Sequence, residues 1–517
     1  MKKELITLIK KYKWLLFIEI VFLLISVYLT AYPSKIIGQI VDLLYNIDQN
    51  KSEIIRLVIV LMCSCLIFVL TRIIWKYADL KFDVSVTKDL QDKLFTKLMK
   101  TKVNDLNNIK NGEIMSYFVS DTRKIGRILS GFIGMGVRIL AYFCIVMVMM
   151  TKSSNFKLTI IAIIPIAVSI IIVLLIQNRV TTSYRAVQKS FTGLSEYVQE
   201  STDSIRTMKA FVGDDKQIGE FEKKNNELRA NSLKASKNQN ILDICINTGL
   251  GFSYAIALLI GSNLVISGEI SIGDLIAFNG YLAVLEMPVF WFPWLINKIK
   301  KFKISYERLD KMFSLTEEEI EVFEDKKYNK LNGDIEIKNL TYNYPGYIER
   351  VLENINIHIK QGETLGIIGV IGSGKTTIMN LLLKLYDVEN GKIFIDGTDI
   401  NNIPTKKIRE SICYITQDNF LFSTTLKENI NLFKDDYSNE EIESSTKKAM
   451  IYDDISEMKD GLNTIIGEKG IDLSGGQKQR VVISRAFLNN SNIIIFDDTF
   501  SALDNKTEQH VLNNIKK

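Results

Sequence analysis

The segment Gly369–Thr376 reads GVIGSGKT and fits the spacing G-x-x-x-x-G-K-T. Glycines at these positions let backbone N–H groups curve around an anion, and the N-terminus of a following helix adds partial positive charge. At the end of such a loop, Lys375 suits the β- and γ-phosphates of a nucleotide and Thr376 suits Mg²⁺. The motif follows the apolar run TLGII, which predicts a strand, and precedes the helical run TIMNLLLKLY. The sequence therefore predicts a loop that binds ATP.

Two further segments of the C-terminal half carry groups that suit the same chemistry. Asp497 ends the apolar run IIIF, and an acid at the end of a buried strand beside a phosphate loop can hold Mg²⁺ directly or through water. The alternative is an aspartate in an ordinary strand-end turn. In DLSGGQKQR, 472–480, a hydroxyl and bare N–H groups could meet a phosphate at a helix N-terminus. By spacing alone, this segment could equally be a Ser-Gly turn that caps a helix.

The elements around these motifs indicate a soluble α/β domain. From residue 333, short β-rich runs such as DIEIKNLTY, GKIFIDG, SICYITQ and NIIIFDD alternate with helical segments. We predict this domain over 333–517, after a polar linker at 314–332.

The first 313 residues have a different character and predict an all-α polytopic membrane domain. A helix needs about 20 apolar residues to cross a bilayer. Six stretches reach that length, at about 14–33, 54–75, 131–150, 158–177, 244–266 and 275–296. The connections 76–130 and 178–243 are long and basic, which predicts that they and both termini are cytoplasmic. Each is expected to form a helical hairpin extending about 40 Å.

Composition excludes several other classes. The five cysteines show no disulfide or zinc spacing, and two histidines in 517 residues make a histidine-based metal site improbable. A net charge of +5 is modest for this length, and no nucleic-acid partner is expected. Charged residues inside the apolar stretches could line a substrate path, pair between helices or reach towards the membrane surface, and we single out four of them. They are Glu19, Arg72, Arg138 and Glu286.

The order of these motifs resembles the ABC transporters. Five features resemble the motifs of that family's nucleotide-binding domain. They are the phosphate loop, Gln417 in YITQD, LSGGQ at 473–477, Asp497, and SALD at 501–504. The six stretches with two long inner loops look like an ABC exporter whose membrane helices precede the ATPase in one chain. NGEIMSYFVSDT and VQESTDSIRTMKAF also resemble cytoplasmic loops of that family.

The resemblance implies the cofactors ATP and Mg²⁺ and assigns roles to individual residues. Tyr344 would stack on adenine, and Gln417 would touch Mg²⁺ and face the membrane domain. Ser474–Gln477 would bind the γ-phosphate of a nucleotide held by a second half-transporter, so two chains would form each site. The full set of nucleotide-contacting residues that we expect is Tyr344, Gly369, Gly372, Ser373, Gly374, Lys375, Thr376, Thr377, Ser474, Gly475, Gly476, Gln477 and Asp504. The expected metal ligands are Thr376, Gln417 and Asp497, and the expected catalytic residues are Asp498 and Gln417.

The sequence departs from the family pattern at two places. Asp498 stands where the family usually has a glutamate that orients the attacking water. Its carboxylate is about 1.3–1.5 Å shorter in reach, and a misplacement of that size can cost about 100-fold in rate. Family members also carry a switch histidine on a strand beyond SALD, and His510 is too close to fill that role. We therefore expect an ATPase domain that is incomplete at its C-terminus.

The sequence favours one subunit of an ATP-driven exporter of a drug-like molecule, a lipid or a peptide, located in the cell membrane with its ATPase domain in the cytoplasm. Asp498 favours the weakly hydrolysing half of a heterodimer. A homodimeric exporter and a truncated half-transporter without ATPase activity remain the alternatives. The apolar stretches do not identify the substrate.

Overall fold

The protein is described here from a computed structural model that covers residues 1–107, 109–211, 214–318, 330–434, 436–467 and 473–515. The chain forms two compact units. The first comprises Met1–Leu98 and Asn111–Ser314, and the second comprises Met99–Lys110 and Leu315–Lys517. Most of the predicted linker, residues 319–329, lies outside the described residues. The domain boundaries 313 and 333 stay predictions.

The first unit is built from long helices. In chain order the helices of the N-terminal part are α1 (Lys2–Lys11), α2 (Lys13–Leu43), α3 (Ile47–Lys100), α4 (Val103–Asn107), α5 (Asn111–Ser116), α6 (Thr122–Ser153), α7 (Phe156–Asp203), α8 (Ile205–Ala210), α9 (Asp214–Ile266) and α10 (Ile272–Phe313). Helix α4 belongs to the second unit. A 3₁₀ turn joins α2 to α3, and a π-helical turn, Tyr117–Asp121, leads into α6.

The long helices contain the predicted membrane stretches and continue well beyond them. By length and composition, five helical stretches among the described residues could cross a membrane. The first, Lys13–Lys100, spans 88 residues and contains the first two predicted stretches. Six separate crossings therefore stay a prediction. The inner connections are helical as expected, since α3 runs to Lys100 and α7 to Asp203.

Packing in this unit follows the apolar sequence. Helices α2 and α10 pack against α6, and α7 packs along α9. The shared core includes Leu23, Val146, Leu158 and Phe278, all nearly fully buried. Helix α10 begins at a capping box in which the Ser271 hydroxyl accepts from the backbone of Asp274, so local hydrogen bonds fix its start.

The second unit combines small sheets with short helices, as the α/β prediction requires. Its strands are β1 (Ile335–Tyr342), β2 (Leu352–Ile359), β3 (Ile393–Ile395), β4 (Thr398–Asp399), β5 (Ile412–Ile415) and β6 (Ile493–Phe496). Its remaining helices are α11 (Lys375–Leu382), α12 (Thr405–Ser411), α13 (Leu426–Asn431), α14 (Asn439–Lys448), α15 (Tyr452–Glu457), α16 (Gly475–Asn489) and α17 (Asn505–Ile515). Strands β2-β1-β3-β4 form an antiparallel sheet, and β5 pairs in parallel with β6.

The strand predicted for TLGII is wrong. Residues 363–370 have no regular secondary structure, and the Ile368 side chain is 99% exposed. Glycines at 362, 366 and 369 lower the strand propensity of this segment, and no described strand pairs with its backbone. The apolar residues alone suggested a buried strand.

Candidate functional site

The predicted phosphate loop leads directly into α11. Gly372 and Gly374 have φ angles of +83° and +86°, a region that residues with a Cβ rarely adopt. Gly374 is the residue before the helix, and a Cβ placed on it would lie 2.6 Å from Leu352 Cδ2 and 2.9 Å from the Val351 carbonyl oxygen. The loop therefore needs glycine at 374 for both backbone angle and space.

Lys375 lies against its own loop. Its Nζ donates to the carbonyl oxygens of Gly369, at 2.8 Å, and Val370, at 3.0 Å. Ser373, on the same loop, donates its backbone N–H to the Val370 carbonyl. The ammonium group is therefore held at the loop, and its interactions are with carbonyl oxygens that an incoming phosphate oxygen can replace as an acceptor.

Thr376 and Asp497 meet although 121 residues separate them. The Thr376 hydroxyl donates to Asp497 Oδ2 at 2.9 Å. Two neighbouring oxygen ligands of an octahedral Mg²⁺ ion, each at about 2.0–2.1 Å from the metal, lie about 3 Å apart. A hydroxyl and a carboxylate at this separation, with Thr376 exposed, fit the ligand set of Mg²⁺. Among the described residues, no group of three or more His, Cys, Asp or Glu side chains could hold a metal ion.

Tyr414 is a member of this site that the sequence did not reveal. Strands β5 and β6 run in parallel, and the Asp497 N–H bonds the Ile415 carbonyl, so β5 faces the acid. The Tyr414 hydroxyl donates to Asp497 Oδ2 at 3.1 Å. Burial, together with the Asp497 carboxylate, raises the pKa of Tyr414 well above its usual value. The tyrosine thus stays a donor that orients the carboxylate.

Tyr344 is part of a cluster of aromatic rings beside α11. Its hydroxyl lies 3.0 Å from that of Thr377, a buried residue of the first turn of the helix. Its ring makes edge-on contacts with Tyr342 and Tyr386, with centroids 5.5 and 5.0 Å apart. The structure thus brings two of the expected nucleotide-contacting residues, Tyr344 and Thr377, together at the start of α11.

The LSGGQ segment forms the start of α16. Ser474 caps this helix, its hydroxyl accepting from the Gln477 backbone while Gln477 Oε1 accepts from the Ser474 backbone. The Gln477 side chain also donates to Asp454, which pairs with Arg480 at 2.9 Å. The local alternative of a Ser-Gly cap is therefore realised. The cap leaves Ser474 and Gly475 exposed, so it does not exclude a phosphate role.

The SALD segment is hydrogen-bonded to α16 and to α17. Gln479 Oε1 accepts from the Ala502 backbone at 3.0 Å, a contact that the sequence did not predict. Asp504 accepts from the Thr507 backbone at 3.1 Å. Hydrogen bonding from Thr507 lowers the pKa of Asp504 below its usual value. Asp504 is thus an ionised residue at the start of α17, and its nucleotide contact stays a prediction.

The two expected catalytic residues are exposed. Asp498 directly follows the metal-site acid and has a φ of +50°, and its carbonyl accepts from the Ser501 hydroxyl at 3.1 Å. Gln417 follows β5 by two residues. Their catalytic roles, and the place of Gln417 among the metal ligands, stay predictions.

The sequence matches two family models that together cover most of the chain. Residues 16–289 match the ABC transporter transmembrane region, and residues 352–501 match the ABC transporter family. The second match includes the phosphate loop, LSGGQ and Asp497.

Individual proteins show the same relationship over nearly the full chain. The multidrug resistance-like ATP-binding protein MdlA of Buchnera aphidicola subsp. Baizongia pistaciae (strain Bp) is 31% identical over 520 residues, which cover 98% of this chain and 89% of that protein. MdlA of Escherichia coli (strain K12) is 27% identical over 96% of this chain and 84% of its own length. A solved structure of a bacterial Atm1-family ABC exporter with ATP bound superposes with a TM-score of 0.78 at 21% identity, covering 98% of this chain and 89% of that one, and it shares the fold.

Proposed function

This chain belongs to the ABC transporter family as a half-transporter that fuses the membrane region to the ATPase, and we propose that it exports a drug-like molecule, a lipid or a peptide. ATP hydrolysis coupled to transport across a membrane is the activity of this family. The observation that carries the proposal is the pairing of Thr376 with Asp497 in a chain whose other unit consists of long apolar helices.

Within the ATPase, each residue of the site takes a separate task. Lys375 and the loop N–H groups bind the phosphates of ATP, and Tyr344 stacks on the adenine. Thr376 and Asp497 would hold Mg²⁺, with Gln417 as a further ligand, and Tyr414 fixes the Asp497 carboxylate. A bound Mg²⁺ would supply positive charge to the phosphate oxygens. Asp498 and Gln417 orient the attacking water.

Nucleotide binding can reach the membrane helices through the segment Met99–Lys110. Its Asn107 side chain donates to the Tyr386 hydroxyl at 2.6 Å, and Lys102 pairs with Asp387 at 2.9 Å. Tyr386 in turn contacts the Tyr344 ring. The two ends of this segment continue into α3 and α5. We propose that adenine stacking on Tyr344 moves this segment and thereby the helices.

Members of the family act as dimers, and we favour a heterodimer for this chain. Its LSGGQ segment would complete the site of a second half-transporter, while its own site, with Asp498, would hold ATP and hydrolyse it slowly. A homodimer, and a half-transporter without ATPase activity, are the other possibilities. The relatives named above carry multidrug resistance in their names, which supports a drug-like substrate.

The function is tested by reconstituting the full chain with its partner half-transporter in vesicles whose ATPase domains face outwards. We expect ATP to drive uptake of a substrate such as a fluorescent amphiphile into the vesicles. Lys375→Ala in this chain, which removes the phosphate-binding ammonium, should lower the uptake rate at least tenfold. The control Lys360→Ala changes an exposed lysine outside the loop and should leave uptake unchanged. ATP turnover without uptake of any amphiphile tested would reject the exporter assignment.

The predicted topology is tested by cysteine labelling in a background that lacks the five native cysteines. A cysteine at Gln49 should react with a membrane-impermeant maleimide added to intact cells. A cysteine at Lys110 should react only after the cells are opened, because its connection is basic and extends with the ATPase into the cytoplasm. The reverse pattern would contradict a cytoplasmic ATPase.

A further inference from the structure

The membrane unit contains a cavity of about 880 Å³ between α7, α9 and α10. Its walls come from the ends of the predicted membrane stretches 158–177 and 275–296 that we expect to face the cytoplasm, from the helical turns beyond them, and from the turn of α9 just before the stretch 244–266. This volume is within the range of small-molecule binding sites. The cavity is remote in sequence from every residue of the ATP site.

A buried amide in the cavity wall has an unused hydrogen-bonding atom. Gln177 is 3% exposed, and its Oε1 has no partner among the described residues. A buried polar atom without a hydrogen-bond partner destabilises the fold, so such atoms call for a specific explanation. Because the amide can turn by 180°, it offers either an acceptor or a donor to a ligand.

The charged residues of the cavity wall have an excess of positive charge. Arg185, Lys300 and Lys301 line it, against a single acid, Asp243, among the described lining residues. Asp243 already accepts from Gln239 at 2.9 Å, and Lys300 donates to Asn178 at 3.1 Å. The Arg185 and Lys301 side chains are exposed. An acidic group that enters the cavity could therefore form ion pairs with Arg185 and Lys301, and it would displace no buried ion pair among the described lining residues.

The same wall presents a rigid aromatic surface. Trp291 lines the cavity, and its ring is held by the Arg138 guanidinium at 4.1 Å and by an edge-on contact with Tyr142 at 5.7 Å. Phe290 and Met287 line the wall beside it. Aromatic rings of this kind bury an apolar chain without losing much side-chain freedom. The cavity thus joins an apolar wall to a basic rim.

We propose that this cavity binds the exported substrate, and that the substrate is an amphiphile with an acidic group such as a phosphate monoester. The acidic group lies between Arg185 and Lys301, the amide of Gln177 bonds a polar group next to it, and the apolar chain packs on Trp291 and Phe290. This inference rests on the proposed exporter function and names its substrate class. The acidic group can belong to a membrane lipid or to a water-soluble amphiphile.

Binding is measured without ATP by quenching of tryptophan fluorescence in the full chain in nanodiscs. Trp14 and Trp75 are replaced by phenylalanine, so that emission comes from Trp291 and Trp294, both in the cavity wall. The soluble probes are 11-bromoundecyl phosphate and its trimethylammonium analogue. The lipid probes are phosphatidic acid and phosphatidylcholine with brominated chains. We expect the phosphate form to bind at least tenfold more tightly in one of these two arms, which identifies the source.

Variants assign the preference to the cavity. The double change Arg185→Gln and Lys301→Gln should remove it, and Asp243→Asn should strengthen binding of the phosphate probe. Lys189→Gln removes an exposed lysine of α7 outside the cavity wall and should have no effect. Equal or tighter binding of the ammonium probe, or an unchanged preference in the double variant, would overturn the proposal.

Transport of the same probes in vesicles that contain the reconstituted pair, set beside the nanodisc binding data, separates this proposal from the exporter function. Anion-selective binding without ATP-driven transport of the bound probe would retain an anion site and reject its role in export. Transport of cationic amphiphiles with no anion-selective binding would reject the acidic substrate class and leave the exporter function standing.

Discussion

Replacing Gly374 with alanine should reduce ATP binding by the full chain at least 100-fold, whereas the same replacement at Gly372 should reduce it only about tenfold. Both residues have φ angles above +80°, and an alanine there costs about 1–2 kcal/mol of backbone strain. The two positions differ in their surroundings. A Cβ on Gly372 has no neighbour within 4 Å, whereas one on Gly374 would lie 2.9 Å from the Val351 carbonyl oxygen.

That carbonyl belongs to the main chain just before β2, so it cannot turn away as a flexible side chain can. The alanine at 374 must instead displace the loop and the first turn of α11, which carries Lys375 and Thr376. Affinity is measured with a fluorescent ATP analogue, and the melting temperature of each variant is measured in the same preparation. Equal losses of affinity in the two variants would show that the close packing at Gly374 does not shape the phosphate site.

The membrane helices could be predicted because their signal is contained in single stretches of sequence. About 20 apolar residues in a row identify a helix in lipid whatever its neighbours. The helical extension of α3 and α7 past these stretches was also predicted, from charged segments with helical character. The number of crossings was not established in the same way, since α2 and α3 follow each other through one 3₁₀ turn and form a single long helical stretch.

The approach of Thr376 to Asp497 was predictable for a different reason. A phosphate loop at the start of a helix and an acid at the end of a strand are local signals, and the α/β arrangement brings such ends together. The strand before the loop was predicted wrongly because a strand depends on a partner that apolar composition does not report. Tyr414 lies in YITQD and Gln479 in DLSGGQKQR, but their contacts with Asp497 and Ala502 depend on which elements become neighbours in space, and the local motifs do not report that.

Gln177 illustrates a further kind of residue that sequence alone could not identify. Glu19, Arg72, Arg138 and Glu286 were the candidates for a substrate path, and that role stays a prediction. The cavity that we propose for the substrate is lined by Gln177, at the last position of one apolar stretch, and by Arg185 two turns beyond it. Arg138 supports the cavity indirectly through Trp291, and Glu19 is fully buried with neither carboxylate oxygen paired among the described residues.

The second large effect concerns the division of work between two nucleotide sites. If this chain is the slowly hydrolysing half of a heterodimer, its LSGGQ segment serves the partner's active site and its own Asp498 is dispensable. The backbone gives a local reason for aspartate at this position. Its φ of +50° lies in the left-handed region, in which aspartate is several-fold enriched among non-glycine residues. The residue type therefore suits the turn whether or not the carboxylate takes part in hydrolysis.

Gly475 provides a way to block the partner's site from this chain. It is exposed at the start of α16, and the nearest atom to a Cβ built on it is Ala502 Cβ at 3.8 Å. A glutamate side chain therefore fits on the surface of this chain without disturbing the Ser474 cap. It would place a negative charge where the partner's γ-phosphate is expected. Gly476 is a less suitable position, because a Cβ there lies 3.1 Å from the Ala502 carbonyl oxygen.

In the reconstituted pair, we therefore expect one change to abolish most ATP turnover and a second change to have little effect on it. Gly475→Glu in this chain should lower ATP turnover at least 100-fold, because it repels the phosphate at the hydrolysing site. Asp498→Asn, which keeps the size of the side chain and removes its charge, should change turnover less than twofold. Replacing the partner's glutamate at the matching position should stop turnover. Gly475→Ala is the matched control and should retain most activity, since it adds no charge.

Loss of most turnover in Asp498→Asn, or turnover by this chain alone at the rate of the pair, would reject the asymmetric assignment and favour a homodimer with two working aspartates.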